Sequence, residues 1–334
     1  MTDAAYIEQK LSAMKARMRL PLIVAPMFLV STPLMVTEAC RAGIMGAFPA
    51  PNARTVNDLK NWLETIKTTL TAAEQAGEKP APWAMNMVTH SSYSRMDDEL
   101  ALIAEYQPDM IITALGGPQK VVAPVHDYGG LVFADVNSPK YARKAVDAGA
   151  DGLILICSGA GGHTGSYSHF AFIEEVRSFF DGPVILSGAI ANARAIRAVE
   201  ILGADFAYMG STFIATPESM VVDDYRDMVV RCKMEGLTQS KAITGALGNW
   251  MNESLEKAGL SPEDMTQAAR IDFSGTIADQ KSWKNIWSAG QAIGQVTKVQ
   301  PVREIIQQLI SDYEAVLTAE KQMLDIRQNR IKAF

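Results

Sequence analysis

Cysteine is scarce. Cys40, Cys157 and Cys232 are the three present in 334 residues, far apart and without a CxxC pair. An odd, scattered set supports neither a disulfide framework nor a thiolate metal site. Histidine is nearly as sparse, at four residues, with no HxH or HExxH spacing. No carboxylates cluster at ligand spacing either, so no metal centre is expected. No GxSxG elbow is present, which sets esterase chemistry aside. No five consecutive Lys/Arg occur and the net charge is −6. Neither a nucleic-acid groove nor an anionic membrane surface is therefore an expected partner. No apolar run reaches membrane-spanning length. The opening "MTDAAYIEQKLSAMKARMRL" lacks an apolar signal-peptide core and reads as a short amphipathic helix. A soluble, reducing, cytoplasmic setting is the expectation.

What the chain has is a beat. Hydrophobic residues make up 48% of it, enough for a sizeable core. Eight short runs recur: "LIVAPM" (22–27), "GIMGAF" (43–48), "PWAMNMV" (82–88), "DMIITAL" (109–115), "GLVFADV" (130–136), "GLILICS" (152–158), "PVILSGA" (183–189) and "FAYMGST" (206–212). Each is almost continuously apolar, as parallel strands buried on both faces require. The segments between read as helices. Ile196, Val199 and Leu202 share a face behind an Asn192 cap, and Gly203 stops the helix; Ser138 and Gly149 repeat the arrangement. Phe170, Ile173 and Val176 are placed together on another. Eight strand–helix units at this length predict an α/β fold, a closed (β/α)8 TIM barrel. The partition expected is an N-terminal helix over 1–19, a barrel over 20–215 and 298–334, and a helical insertion over 216–297. Gly236, Gly245, Gly248, Gly259, Pro262 and Gly275 would break the insertion into pieces. Val302, Ile305, Ile306, Leu309, Ile310 and Tyr313 mark the eighth barrel helix.

Barrel sites are built by the loops at the C-terminal ends of strands. Two places stand out. After the seventh and eighth strands, "SGAI" (187–190) and "GST" (210–212) bring Gly188, Ala189, Gly210, Ser211 and Thr212 to strand ends. Glycine lets backbone N–H groups approach an anion, and the hydroxyls add donors, so a phosphate is expected there. After the sixth strand stands "GAGGHTG" (159–165). As a dinucleotide fingerprint it fails, because G-x-G-x-x-G counted from Gly159 ends on Thr164. Gly161 and Gly162 instead allow a planar ligand to lie flat against the backbone, with His163 projecting beside it. His90, His126 and His169 lack such a platform and read as structural. Cys157 lies inside a strand run and reads as a small buried hydrophobe.

Taken together, "APM" after the first strand, "NMV" at the third, "AGGHTG", "SGAI", "MGSTF" and "WSAGQAIG" (287–294) resemble the nitronate monooxygenase family of FMN-dependent barrels. The similarity runs from about residue 20 to about 315. Flavin-dependent enoyl-acyl-carrier-protein reductases are relatives of that family. The resemblance implies FMN as cofactor. Ala25, Pro26 and Met27 would pass along the isoalloxazine, Asn86 would bond it, and Gly161 and Gly162 would flank it. Gly188, Ala189, Gly210, Ser211 and Thr212 would hold the phosphate. His163 would be the catalytic acid/base, and Phe28, Trp287 and Gln291 would line the substrate pocket. Where some relatives carry a lysine at the end of the fifth strand, this chain has Asp135, also expected against the flavin. The implied activity is oxidation of alkyl nitronates with dioxygen. The alternatives are an NAD(P)H-dependent reductase of an enoyl thioester or quinone, and a non-catalytic FMN-binding protein whose pocket Phe28 and Trp287 would block. The insertion would either cap the pocket or form a homodimer interface.

Overall fold

The computed structural model describes residues 4–261, 263–266 and 285–332. Eight parallel strands form one sheet: β1 Leu22–Val24, β2 Gly46–Pro49, β3 Trp83–Val88, β4 Met110–Ala114, β5 Leu131–Val136, β6 Gly152–Ile156, β8 Val184–Ser187 and β9 Phe206–Met209. The order is β2-β3-β4-β5-β6-β8-β9-β1. A parallel bridge between Ile23 and Met45 joins β1 back to β2, so the sheet closes. All eight expected strands are present, seven inside their apolar runs and β2 ending one residue beyond its own at Pro49, and the (β/α)8 barrel is the fold.

The period of two in a strand sorts its side chains. Ile23, Met45, Ala47, Ala84, Met110, Ile112, Leu131, Phe133, Ile154, Ile185, Phe206 and Tyr208 pack together inside the barrel. Their neighbours, such as Leu22, Val24, Ala134, Val136, Leu153, Leu155, Val184 and Leu186, pack outward on the helices. The N-terminal helix α1 (Ala4–Ala16) adds Leu11 and Met14 to the interior cluster. It therefore plugs one end of the barrel, fixed by Lys15–Asp205 at 2.7 Å and Arg17–Asp109 at 3.0 Å. The opposite end stays free for a site.

The helices follow their caps. α6 (Pro139–Asp147) starts at Ser138, and α8 (Ala193–Ile201) at Asn192, whose side chain accepts from the Ala195 N–H. Gly149 and Gly203 take the left-handed conformation behind them, at φ 91° and 86°. α7 (His169–Arg177) differs from expectation in one position. Phe170 is 71% exposed, and Phe172 joins Ile173 and Val176 in the core instead. The C-terminal helix Val302–Lys332 buries Val302, Ile305, Ile306, Leu309 and Ile310 and packs on α2 (Pro33–Ala42) and α8, as the eighth barrel helix should.

The inserted segment is not purely helical. It holds α9 (Asp223–Arg231) and the short α10 (Asn252–Lys257), but also an antiparallel hairpin, β10 Leu237–Ser240 with β11 Gly248–Met251. Gly245, at φ 79°, belongs to the hairpin's connection rather than to a helix end. Pro262 and Gly275 lie outside the described residues.

Candidate active site

At the open end of the barrel, the inward positions change character. Continuing the alternation past Ala84, Phe133 and Ile185 reaches Asn86 on β3, Asp135 on β5 and Ser187 on β8. Tyr208 on β9 lies beside them. All four line one cavity of about 900 Å³, within the range of cofactor and substrate sites. The cavity also takes in Ala25, Pro26, Met27, Phe28, Gly161, Gly162, His163, Gly188, Ala189, Gly210, Ser211 and Trp287. The barrel thus gathers almost all of the expected site residues from six loops and the inserted segment. Two do not reach the lining. Thr212 turns away, its Oγ1 buried without a partner. Gln291 stands behind the glycine loop, and its N–H donates to Gly159 O at 2.9 Å. Phe28 and Trp287 border the cavity without closing it. Trp287 is held flat by stacking on Tyr225 at 4.9 Å.

The glycine loop is fastened from outside the barrel. Gly162 and His163 form a two-residue strand, β7, antiparallel to β11, with His163 opposite Gly248. The Thr164 N–H donates to Leu247 O at 2.8 Å, and Asn249 Nδ2 donates to Ala160 O at 2.6 Å. Trp250 is fully buried, and its indole N–H donates to Ser240 O at 3.2 Å, locking the hairpin. The reason for the glycines is therefore partly different from the one expected. A Cβ on Gly161 would lie 2.8 Å from Gly290 N. Its bareness lets two backbones meet beside the cavity that it lines. Gly188, at φ 115°, would drive a Cβ to 2.8 Å from Ser158 O. His169 Nε2 holds the Gly188 carbonyl at 2.8 Å, so this histidine supports the loop after β8. Ser211 Oγ accepts from the Gly290 N–H at 2.7 Å, tying the loop after β9 to residues 289–290.

Backbone strain collects here. Leu29, Leu115 and Ala189 have φ of 57°, 60° and 52°, and all three line the cavity. Each costs of order 1–2 kcal/mol for a side-chain-bearing residue. Leu29 is compensated by its N–H donating to Asn52 Oδ1 at 2.8 Å.

The electrostatics are unusual in two places. His163 Nε2 lies 2.9 Å from Thr244 Oγ1, and burial lowers its pKa to about 4. The ring is neutral at physiological pH. Among the described residues Asp135 Oδ1 is buried with no hydrogen-bond partner, and desolvation raises that carboxyl to about 7. The Tyr208 hydroxyl is likewise buried and unpartnered. Burial and the nearby Asp135 both push its pKa up. Cys157 is buried with its thiol raised to about 12, which fits a packing residue and not a nucleophile. His126 pairs with Asp151 at 2.8 Å, and His90 with Ser92 at 2.7 Å, away from the cavity. No cluster of potential metal ligands exists among the described residues, and no described helix is long and apolar enough to cross a membrane.

Tyr208, Ser187, Thr244, Asn249 and Tyr225 were not anticipated. Tyr208 and Ser187 were readable, because alternation from Phe206 and Ile185 points both inward. Thr244 and Asn249 reach the loop from 81 and 89 residues away, and nothing local in the sequence announces such a contact.

Comparison with known proteins agrees with this geometry. A family model described as nitronate monooxygenase matches residues 11–312. A nitronate monooxygenase of Paraburkholderia phytofirmans is 26% identical, covering 86% of this chain and 91% of that protein. A Rhodococcus jostii (3aS,4S,5R,7aS)-5-hydroxy-7a-methyl-1-oxo-octahydro-1H-indene-4-carboxyl-CoA dehydrogenase is 25% identical, covering 82% of this chain and 75% of that protein. Among solved structures, a nitroalkane oxidase from Streptomyces ansochromogenes superposes with a TM-score of 0.75 at 21% identity, over 92% of this chain and 99% of that one.

Proposed function

The chain belongs to the nitronate monooxygenase family, and on that premise we propose that it is an FMN-dependent oxidoreductase that oxidises alkyl nitronates with dioxygen. The observation that carries this reading is the meeting of a neutral histidine, a glycine-lined backbone wall and a polar barrel floor around one cavity. The residues fit a flavin in a testable respect. Two buried polar atoms beside the cavity, Asp135 Oδ1 and Tyr208 OH, have no partner among the described residues, and a buried polar group without a partner calls for a ligand that supplies one. Ala25, Pro26, Met27 and Asn86 would hold the ring, and Gly188, Ala189, Gly210 and Ser211 the phosphate. Bound FMN would supply the two-electron chemistry and its transfer to dioxygen.

His163 has the narrower task of placing the substrate. A base with a pKa near 4 is weak at neutral pH and poorly matched to removing a proton from carbon. A nitronate arrives already ionised, so that demand disappears. The neutral ring then orients the substrate by hydrogen bonding. An anion bound beside it raises the imidazole's own pKa and lets it hold a proton during turnover. The apolar faces of Phe28 and Trp287 line the same cavity and would reduce the access of water to that contact.

A second reading draws on the cavity's size and its exposed apolar mouth, where Leu115, Tyr141, Met220 and Val222 stand. It is an NAD(P)H-dependent reduction of an acyl thioester, a substrate class akin to the one named for the Rhodococcus relative. One experiment separates the two. The purified protein is examined for a flavin absorbance spectrum, then mixed without oxygen with an alkyl nitronate, NADH or NADPH in turn. Bleaching by the nitronate supports the first reading, and fast bleaching by a pyridine nucleotide the second. A preparation that takes up no FMN removes both.

A further inference from the structure

Asp135 ends the run Leu131–Phe133–Asp135 of inward positions on β5, where the residues below it are apolar and fully buried. An acidic side chain at that height needs a reason. Among the described residues its Oδ1 has no partner, the Tyr208 hydroxyl from across the barrel has none, and both border the same cavity. The two groups lie close enough for the charge of Asp135 to bear on Tyr208. The other titratable side chains on the cavity are Tyr141 and Lys144 of α6, His163 of β7 and Tyr225 of α9. Lys144 is exposed and stands 6.0 Å from the Tyr141 ring. Tyr225 gives its hydroxyl to Ser288 O at 2.6 Å. Burial is the one cause of the raised Asp135 carboxyl, with no cation offsetting it.

An ionised carboxylate only accepts hydrogen bonds; a protonated one also donates. Two donors facing one cavity at the polar end of the barrel suit a carbonyl-bearing heterocycle edge, and the pyrimidine end is the most polar edge of an isoalloxazine. Resting on the flavin reading above, we propose that Asp135 in its neutral acid form and Tyr208 together seat the pyrimidine edge of bound FMN, so that cofactor affinity is gated by one proton on Asp135. An anion in the same place would face the ring's carbonyl oxygens, unpaired and desolvated, and would weaken binding. Asp135 and Tyr208 are thus positioning residues for the cofactor.

The test is equilibrium binding of FMN to flavin-stripped protein, read by quenching of flavin fluorescence from pH 5.5 to 9, for the wild type and for Asp135→Asn. The ratio of the two dissociation constants cancels the titration of the FMN phosphate. The expected result is a ratio near its minimum at pH 6 that grows above pH 7 by up to about tenfold per pH unit. Tyr208→Phe should weaken FMN about fivefold at pH 6, the scale of one hydrogen bond. A ratio that stays constant over the range, with both proteins binding FMN, overturns the proposal. A wild type that binds no FMN at any pH instead overturns the flavin reading beneath it. Should Asp135→Asn fail to fold, infrared difference spectra of wild-type protein with and without FMN at pH 6 decide the matter. A protonated-carboxyl C=O band perturbed by FMN is expected, and its absence is fatal.

Discussion

His163 and Asp135 are two half-buried ionisable groups on the cavity whose pKa values are displaced in opposite directions toward the same neutral state. Their effects on stability have opposite signs. The histidine is lowered to about 4, so its contribution is present above its ordinary value near 6.5 and is lost as pH falls toward 4. The carboxyl is raised to about 7, so its contribution is present below about 4 and is lost as pH rises through 7. Melting temperatures should show this by difference. His163→Gln should gain on the wild type as pH drops from 6.5 to 4.5, and Asp135→Asn should gain as pH rises from 5 to 8, each by a few degrees. Parallel curves would mean that neither group is desolvated in solution. His163→Ala should keep FMN and lose about 10²-fold or more in turnover with nitronate; unchanged turnover would remove it from the mechanism. Gly188→Ala combines a positive φ with a contact at 2.8 Å to Ser158 O. It should cost roughly 2–3 kcal/mol, seen as a lowered Tm and as loss of FMN retention.

At the scale of elements, the hairpin β10–β11 is the part that makes the site more than a set of barrel loops. It fixes β7 through two backbone pairings and the Asn249 side chain. Trp250→Ala should therefore remove about 3–5 kcal/mol of local packing and act on His163 at a distance. The measurable outcome is faster amide exchange at Gly162 to Thr164 and a fall in turnover, with FMN still bound. An unaltered exchange pattern would show that the loop holds itself. Strands buried on both faces announce themselves as apolar runs, and all eight were legible for that reason. The glycine-rich strand ends were legible because small residues there are otherwise wasteful. The hairpin was not. Its residues "LTQS" and "GNWM" are short and mixed in polarity, and the glycines around them look like helix breaks. Phe170 was misplaced for a related reason. At a helix start either neighbour can turn inward, and Phe172 does so, its ring tilted against Tyr167 at 5.6 Å between centroids.

For the whole molecule, the barrel is closed at the bottom by α1, clasped on its side by the C-terminal helix, and, among the described residues, open at the top. The clasp has a definable end. Burial on that helix stops near Ile310, and Leu317, Met323, Leu324 and Ile326 are 41–61% exposed. Arg197 reaches Glu320 at 2.7 Å, the last side-chain link to the barrel among the described residues. Removal of residues 322–334 should therefore leave Tm within about 2 °C, because exposed termini carry little packing. A cut before residue 302 should abolish folding, because α2 and α8 lose their shared cover. A large loss of Tm from the shorter cut would assign the exposed stripe to a self-association surface.

The pairing of His163 with Gly248 also sets an order of events in time. The barrel strands from β1 to β9 are complete by Met209, but the loop bearing His163 cannot be fixed until Met251 and Trp250 have been made and packed. Contacts of such long sequence separation form late. Barrel closure pairs Leu22 with Ala207, a longer separation still, so in refolding from denaturant the barrel and the site should be completed together, late. A chain arrested on the ribosome before residue 250 would hold every barrel strand but lack both the hairpin and the helix Val302–Lys332, and so be unable to turn over a reactive substrate before synthesis is finished.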